Sequence, residues 1–130
     1  MTYLRKYKIL LVDDNEVFLK ALKLQLNDIL PGQIEFIDEA HDGLEAIACT
    51  KKKKYHVVFM DIEMPNMNGI EATRYINVNY PYIWIVALTL YNDFHYMEKM
   101  LKAGARTYML KDKLDDNALL NVFKYPEKYS

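Results

Sequence analysis

Short apolar runs recur along this chain, each followed by a stretch with helical spacing. That alternation narrows the possible folds more than any single motif does. Residues 8–12 end in Ile9-Leu10-Leu11-Val12, too apolar for a strand with one wet face. Val17, Leu19, Ala21, Leu22, Leu24, Leu26 and Ile29 then predict a helix with a broad buried stripe, stopped at Pro31-Gly32. Residues 33–37 predict a shorter, more polar strand, as suits a sheet edge. Leu44, Ile47 and Ala48 mark a second helix, closed by Lys51-Lys52-Lys53-Lys54 as a solvated end where the helix dipole favours cations. The same rhythm predicts strands over 55–60, 82–88 and 105–110, and helices over 70–78 and 94–102. Gly104 is placed to cap the fourth helix, and Asp115 or Asp116 to start a last one running to about Phe123. Five strands alternating with five helices imply an α/β fold. Its parallel sheet would be covered on both faces and joined by right-handed crossovers.

At 130 residues the chain is expected to be one domain, with a core over about 7–124 and a tail or linker start at 125–130. With 52% apolar and 27% charged residues it can bury a core and stay in solution. A net charge of −1 leaves no footprint for a polyanion, so no direct contact with DNA is expected. Cys49 is the single cysteine, which excludes an intrachain disulfide and suits a reducing compartment. It falls near the apolar stripe of the second helix and reads as buried and inert. The N-terminus has no signal-peptide pattern and no run reaches membrane-spanning length, so a cytoplasmic location without a membrane partner is expected. His41, His56 and His95 scatter over element ends and read as surface residues.

The chemistry gathers at strand ends. Asp13 and Asp14 follow the first strand, Asp61 the third, Thr89 the fourth and Lys111 the fifth. In a parallel sheet these ends share one edge, the crevice where open α/β sheets bind ligands. Three carboxylates in one small volume are costly without a cation. A hard divalent ion prefers such oxygens, and Mg²⁺ uses one or two carboxylates and keeps several waters. A metal there would hold Asp61 ionised, and an ionised aspartate is a nucleophile toward phosphorus. The Lys111 ammonium and the Thr89 hydroxyl would orient the oxygens of a transferring phosphoryl group. The product would be an aspartyl phosphate, reset by hydrolysis. Each piece alone has a plainer reading: Asp13-Asp14-Asn15 as a helix cap, and 61–69 as a turn carrying Pro65, Asn66, Asn68 and Gly69. Their coincidence at successive strand ends favours the site. A calcium-loop reading of the turn fails, because its sixth position is Asn66 and its twelfth Ala72.

These motifs together resemble a response-regulator receiver domain over about 8–123. The matching residues are Leu11-Val12-Asp13-Asp14-Asn15, the stretch 61–69, Leu88-Thr89, and Gly104-Ala105 followed by Tyr108-Met109-Leu110-Lys111. The resemblance implies a flavodoxin-like strand order of 2-1-3-4-5. It makes Asp61 the phosphoacceptor for a sensor histidine kinase or phosphotransfer protein. It makes Asp14 a direct Mg²⁺ ligand, Asp13 an outer ligand through water, and Glu63 a ligand through its main-chain carbonyl. Thr89 and Lys111 become phosphoryl contacts, and Thr89 with Tyr108 becomes the switch pair. The face around helix four and strand five, expected to expose Tyr91, Phe94, Tyr96, Lys99 and Arg106, would form a homodimer together with helix five or meet an output partner.

Leu90 stands where many members carry a small residue. Glu63 and Tyr91 fall at positions that tune phosphate lifetime, so slow self-dephosphorylation is expected. The stretch 104–112 is similar to receivers that precede a helix-turn-helix DNA-binding domain. Control of transcription would then need an output domain outside this chain. Three other readings compete. A haloacid-dehalogenase-type phosphatase needs a second Asp where this chain has Glu63. A flavodoxin needs a first loop that cradles phosphate, and Asp13-Asp14-Asn15-Glu16 repels it. A phosphorylation-independent binding module has no use for the intact set of three Asp, Thr89 and Lys111.

Overall fold

A computed structural model of the protein describes residues 6–90 and 92–124. The elements run β1 (Tyr7–Val12), α1 (Glu16–Ile29), β2 (Ile34–Ala40), α2 (Gly43–Lys52), β3 (Val57–Asp61), α3 (Gly69–Asn79), β4 (Trp84–Thr89), α4 (Phe94–Ala103), β5 (Thr107–Leu110) and α5 (Asp116–Val122). The sheet order is β2-β1-β3-β4-β5 with every pairing parallel, the flavodoxin-like order. Alternation along β1 explains its unbroken apolar run. Ile9 and Leu11 meet α1 and α5 on one face, and Leu10 and Val12 meet α2, α3 and α4 on the other. All four are fully buried, so a polar residue at any of them would face a core.

Five short polar side chains start the five α-helices. Asn15, Asp42, Asn68, Asp93 and Asp115 each accept a backbone N–H of the first turn. Each such cap is worth about 1 kcal/mol, and together they set where the chain leaves the sheet edge. Gly104 closes α4 at φ +125, as its placement predicted.

The structure departs from the sequence expectations in several places. β2 runs three residues further than 33–37, to Ala40, because Asp38 and Glu39 find cations on neighbouring elements: Lys53 at 3.1 Å and Lys23 at 3.9 Å. Asp61 and Thr89 are the last residues of β3 and β4, paired within the sheet, and do not simply follow them. Lys111 opens a 3-10 turn, Lys111–Lys113, that no pattern announced. The buried stripe of α1 is narrower than expected. Leu19, Leu22 and Leu26 are buried, but Val17 and Leu24 are 78% and 72% exposed and Ala21 is exposed with them. Helical spacing forces this, since 17, 21 and 24 lie one and two turns apart on the side away from the sheet. The lysine run is exposed throughout, as expected, though Lys51 lies over the Tyr75 ring and Lys53 over Phe36. His41 and His56 are half-buried. His41 pairs with Glu16 and with Glu45, and His56 Nδ1 accepts the Lys8 N–H. Cys49 is likewise half-buried, and burial pushes its thiol pKa up. Tyr91 and the tail 125–130 lie outside the described residues. Among the described residues no helix is long and apolar enough to cross a membrane.

Candidate functional site

Four strand ends meet at one rim. The backbone of β1 holds Asp13 fully buried: its N–H donates to the Ala40 carbonyl at 3.0 Å, and its Oδ1 accepts the Asn15 N–H at 2.9 Å. Asp14 points to solvent beside it. Asp61 and Thr89 are 6% and 7% exposed. The loop after Asp61 folds straight back on itself, with the Gly69 N–H donating to the Ile62 carbonyl at 2.7 Å. A Cβ at Gly69 would lie 1.9 Å from the Asp61 carbonyl oxygen, so only glycine fits. The loop's far end is tied to α2, with the Gly43 N–H on the Met67 carbonyl at 3.0 Å and Asn66 Nδ2 on Asp42 at 2.7 Å.

Lys111 joins the acids. Its Nζ lies 2.5 Å from Asp13 Oδ2 and 3.0 Å from Asp61 Oδ1, with the side chain only 9% exposed. Burial works against its charge, but the hydrogen bond to Asp13 and the attraction of Asp61 outweigh it and hold its pKa above the ordinary lysine value. Asp61 is pushed up to about 6, first by burial and then by the Asp13 charge, with Lys111 pulling the other way. Carboxylate oxygens of Asp13, Asp14 and Asp61 all lie within 4.8 Å of one another. An all-oxygen set this tight, two of its members buried, suits a hard divalent cation such as Mg²⁺.

The cleft over these groups encloses about 210 Å³, and its rim includes Glu63, Leu90 and Tyr96. Every strand-end residue singled out in the sequence, Asp13, Asp14, Asp61, Thr89 and Lys111, lines it, as does Glu63. Tyr108 does not; it stands on β5 at 42% exposure. Tyr96 corrects an expectation. It was expected on the open face of α4, but it is half-buried, packs on the core and walls the cleft. Its place in the first turn of α4, directly above the sheet edge, is the reason. Phe94, Lys99 and Arg106 are exposed as expected. Phe18 was missed altogether, and its ring lies 4.9 Å from Lys111 Nζ.

The sequence profile of the response regulator receiver domain matches residues 9–124. The chain belongs to the response regulator receiver domain family. It is 34% identical over 119 residues to the transcriptional regulatory protein DegU of Brevibacillus brevis, covering 92% of this chain and 49% of that protein. It is 34% identical over 104 residues to the response regulator GacA of Pseudomonas syringae, covering 80% of this chain and 48% of that protein. The receiver thus spans about half the length of these curated relatives. Among solved structures, the signal receiver domain of an HD domain-containing protein from Pseudomonas fluorescens superposes with a TM-score of 0.86 at 26% identity, covering 98% of this chain and 91% of that one. A CheY-like receiver domain protein from Methanospirillum hungatei gives 0.83 at 25% identity, covering 96% and 99%.

Proposed function

We propose that this receiver is a phosphorylation-controlled switch in which Asp61 takes a phosphoryl group from a phosphohistidine on a sensor histidine kinase or phosphotransfer protein. The observation that carries the reading is the Lys111 ammonium, buried between Asp13 and Asp61 at the rim where the acids converge. A buried lysine there counters charge at the acceptor and leaves one carboxylate oxygen of Asp61 to attack. In the transfer an Asp61 oxygen forms a bond to phosphorus as the phosphorus–nitrogen bond to the donor imidazole breaks, and the imidazole keeps the electron pair. Lys111 then moves from a carboxylate oxygen to a phosphoryl oxygen, and the Thr89 hydroxyl donates to another. Asp13, Asp14 and Asp61, with the main-chain carbonyl of Glu63, would hold Mg²⁺, which when bound supplies positive charge beside the phosphoryl oxygens.

Movement of Thr89 would draw Tyr108 inward and so alter the face of α4 and β5. Leu90, 57% exposed at the cleft, and Glu63 beside it narrow the approach of water, which favours a long-lived aspartyl phosphate. The name of DegU, a transcriptional regulatory protein, supports an output in transcription, delivered by a domain outside this chain. Incubation with Mg²⁺ and acetyl phosphate, read by intact mass, tests the acceptor. Wild type is expected to gain one phosphoryl group and Asp61→Asn none. Equal modification of both would place the acceptor elsewhere, and steady turnover of an added phosphate ester would favour the phosphatase reading.

A further inference from the structure

We propose that Phe18 is a positioning residue for Lys111, its ring backing the ammonium and keeping it turned toward Asp13 and Asp61. The inference rests on the phosphoryl-transfer role proposed for Asp61. Lys111 has a long flexible stem and two places to put its charge. Inward lie the two carboxylates, at 2.5 and 3.0 Å. Outward lies a groove of about 240 Å³ between α1 and the turn after β5, lined by Phe18, Gln25, Asp112 and Leu114 beside Lys111 itself. The exposed Asp112 carboxylate offers the ammonium a competing partner on that side.

Phe18 lines that groove beside the ammonium. Its ring centroid is 4.9 Å from Nζ, inside the range of a cation–π contact, and the half-buried setting strengthens such a contact. The ring is itself fixed. The Phe18 N–H is the one that Asn15 caps at 3.1 Å, in the first turn of the helix that leaves Asp13, and the ring packs against the α1/α5 core. A ring face suits this task better than a hydrogen-bond acceptor would. It attracts the cation without a fixed direction, so Lys111 can slide from a carboxylate to a phosphoryl oxygen and still be held.

Phe18→Leu keeps the apolar packing and removes the ring face, and Phe18→Tyr keeps both. Acetyl phosphate with Mg²⁺ is expected to phosphorylate Phe18→Leu about fivefold more slowly than wild type, with Phe18→Tyr near wild type. In a Lys111→Met background, Phe18→Leu is expected to cost nothing further, because the effect passes through the ammonium. In the proton NMR spectrum of wild type, the Lys111 ε-methylene protons are expected upfield of those of exposed lysines, returning to the ordinary position in Phe18→Leu. Equal slowing by Phe18→Leu in both backgrounds would overturn the proposal, as would Lys111 ε-protons at the ordinary position in wild type. A wild type that takes no phosphoryl group at all would sink the acceptor reading instead, and the ring-current shift would still decide whether Phe18 holds Lys111.

Discussion

Asp61 carries opposing demands within one side chain. A nucleophile must be ionised, yet burial and the neighbouring Asp13 hold its pKa up at about 6, against the ordinary 3.8. As pH rises between those values, an unfolded chain gives up this proton before the folded one does. The folded state therefore binds more protons in that window, and this group's contribution to stability falls as pH climbs through it. Below the window both states are protonated and the penalty vanishes. Carboxyl ¹³C NMR of the metal-free protein is expected to show Asp61 titrating near 6. Lys111→Met is expected to move that midpoint higher, and added Mg²⁺ to move it lower; a midpoint at the ordinary aspartate value would refute the electrostatics described. The acids, Thr89 and Lys111 were legible in the sequence, because a polar residue after an apolar run in a parallel sheet has one place to go. Phe18 and Tyr96 were not. An aromatic residue in a first helical turn carries no pattern that says which strand end it overhangs.

The single elements show where local pattern stops deciding. The loop from Asp61 to Gly69 looked like a turn from its composition, but its tightness comes from a backbone approach that no propensity reports. Gly69→Ala is expected to lower stability by about 1–3 kcal/mol in urea unfolding, through the Cβ set against the Asp61 carbonyl. An unchanged midpoint would mean the loop has slack. On α1, composition suggested one broad apolar stripe, whereas packing on the sheet uses Leu19, Leu22 and Leu26 and leaves Val17 and Leu24 in water. That outer pair leaves an apolar strip along α1 open to a partner. Val17→Glu combined with Leu24→Glu is expected to slow transfer from a histidine-phosphorylated partner tenfold or more. The reaction with acetyl phosphate and the melting temperature should stay near wild type, since exposed substitutions rarely exceed about 0.5 kcal/mol. A parallel loss of both reactions would show that α1 acts on the site and not on docking.

Across the molecule, the acidic rim and the α4/β5 face are adjacent surfaces, joined through Thr89, through Tyr96 at the start of α4 and through Lys111 just after β5. Phe94, Leu101 and Tyr108 are 73%, 43% and 42% exposed on that face, more apolar surface than a stand-alone helix needs. Sedimentation in beryllium fluoride and Mg²⁺ is expected to shift the protein from monomer to dimer, and Phe94→Glu to abolish the shift. A monomer under both conditions would assign the face to an output partner. The order of strands and helices along the chain, the caps of the first and last helices and the identity of the acids at the strand ends were determined by the sequence alone. Period, capping and turn chemistry depend on near neighbours in the chain. Which side of α1 stays wet, how far Asp61 is driven from its ordinary pKa, and that one ammonium lies between Asp13, Asp61 and the face of Phe18 were decided only by tertiary structure. Those contacts join residues far apart in the chain, and their distances exist only after the sheet has brought its strand ends to one edge.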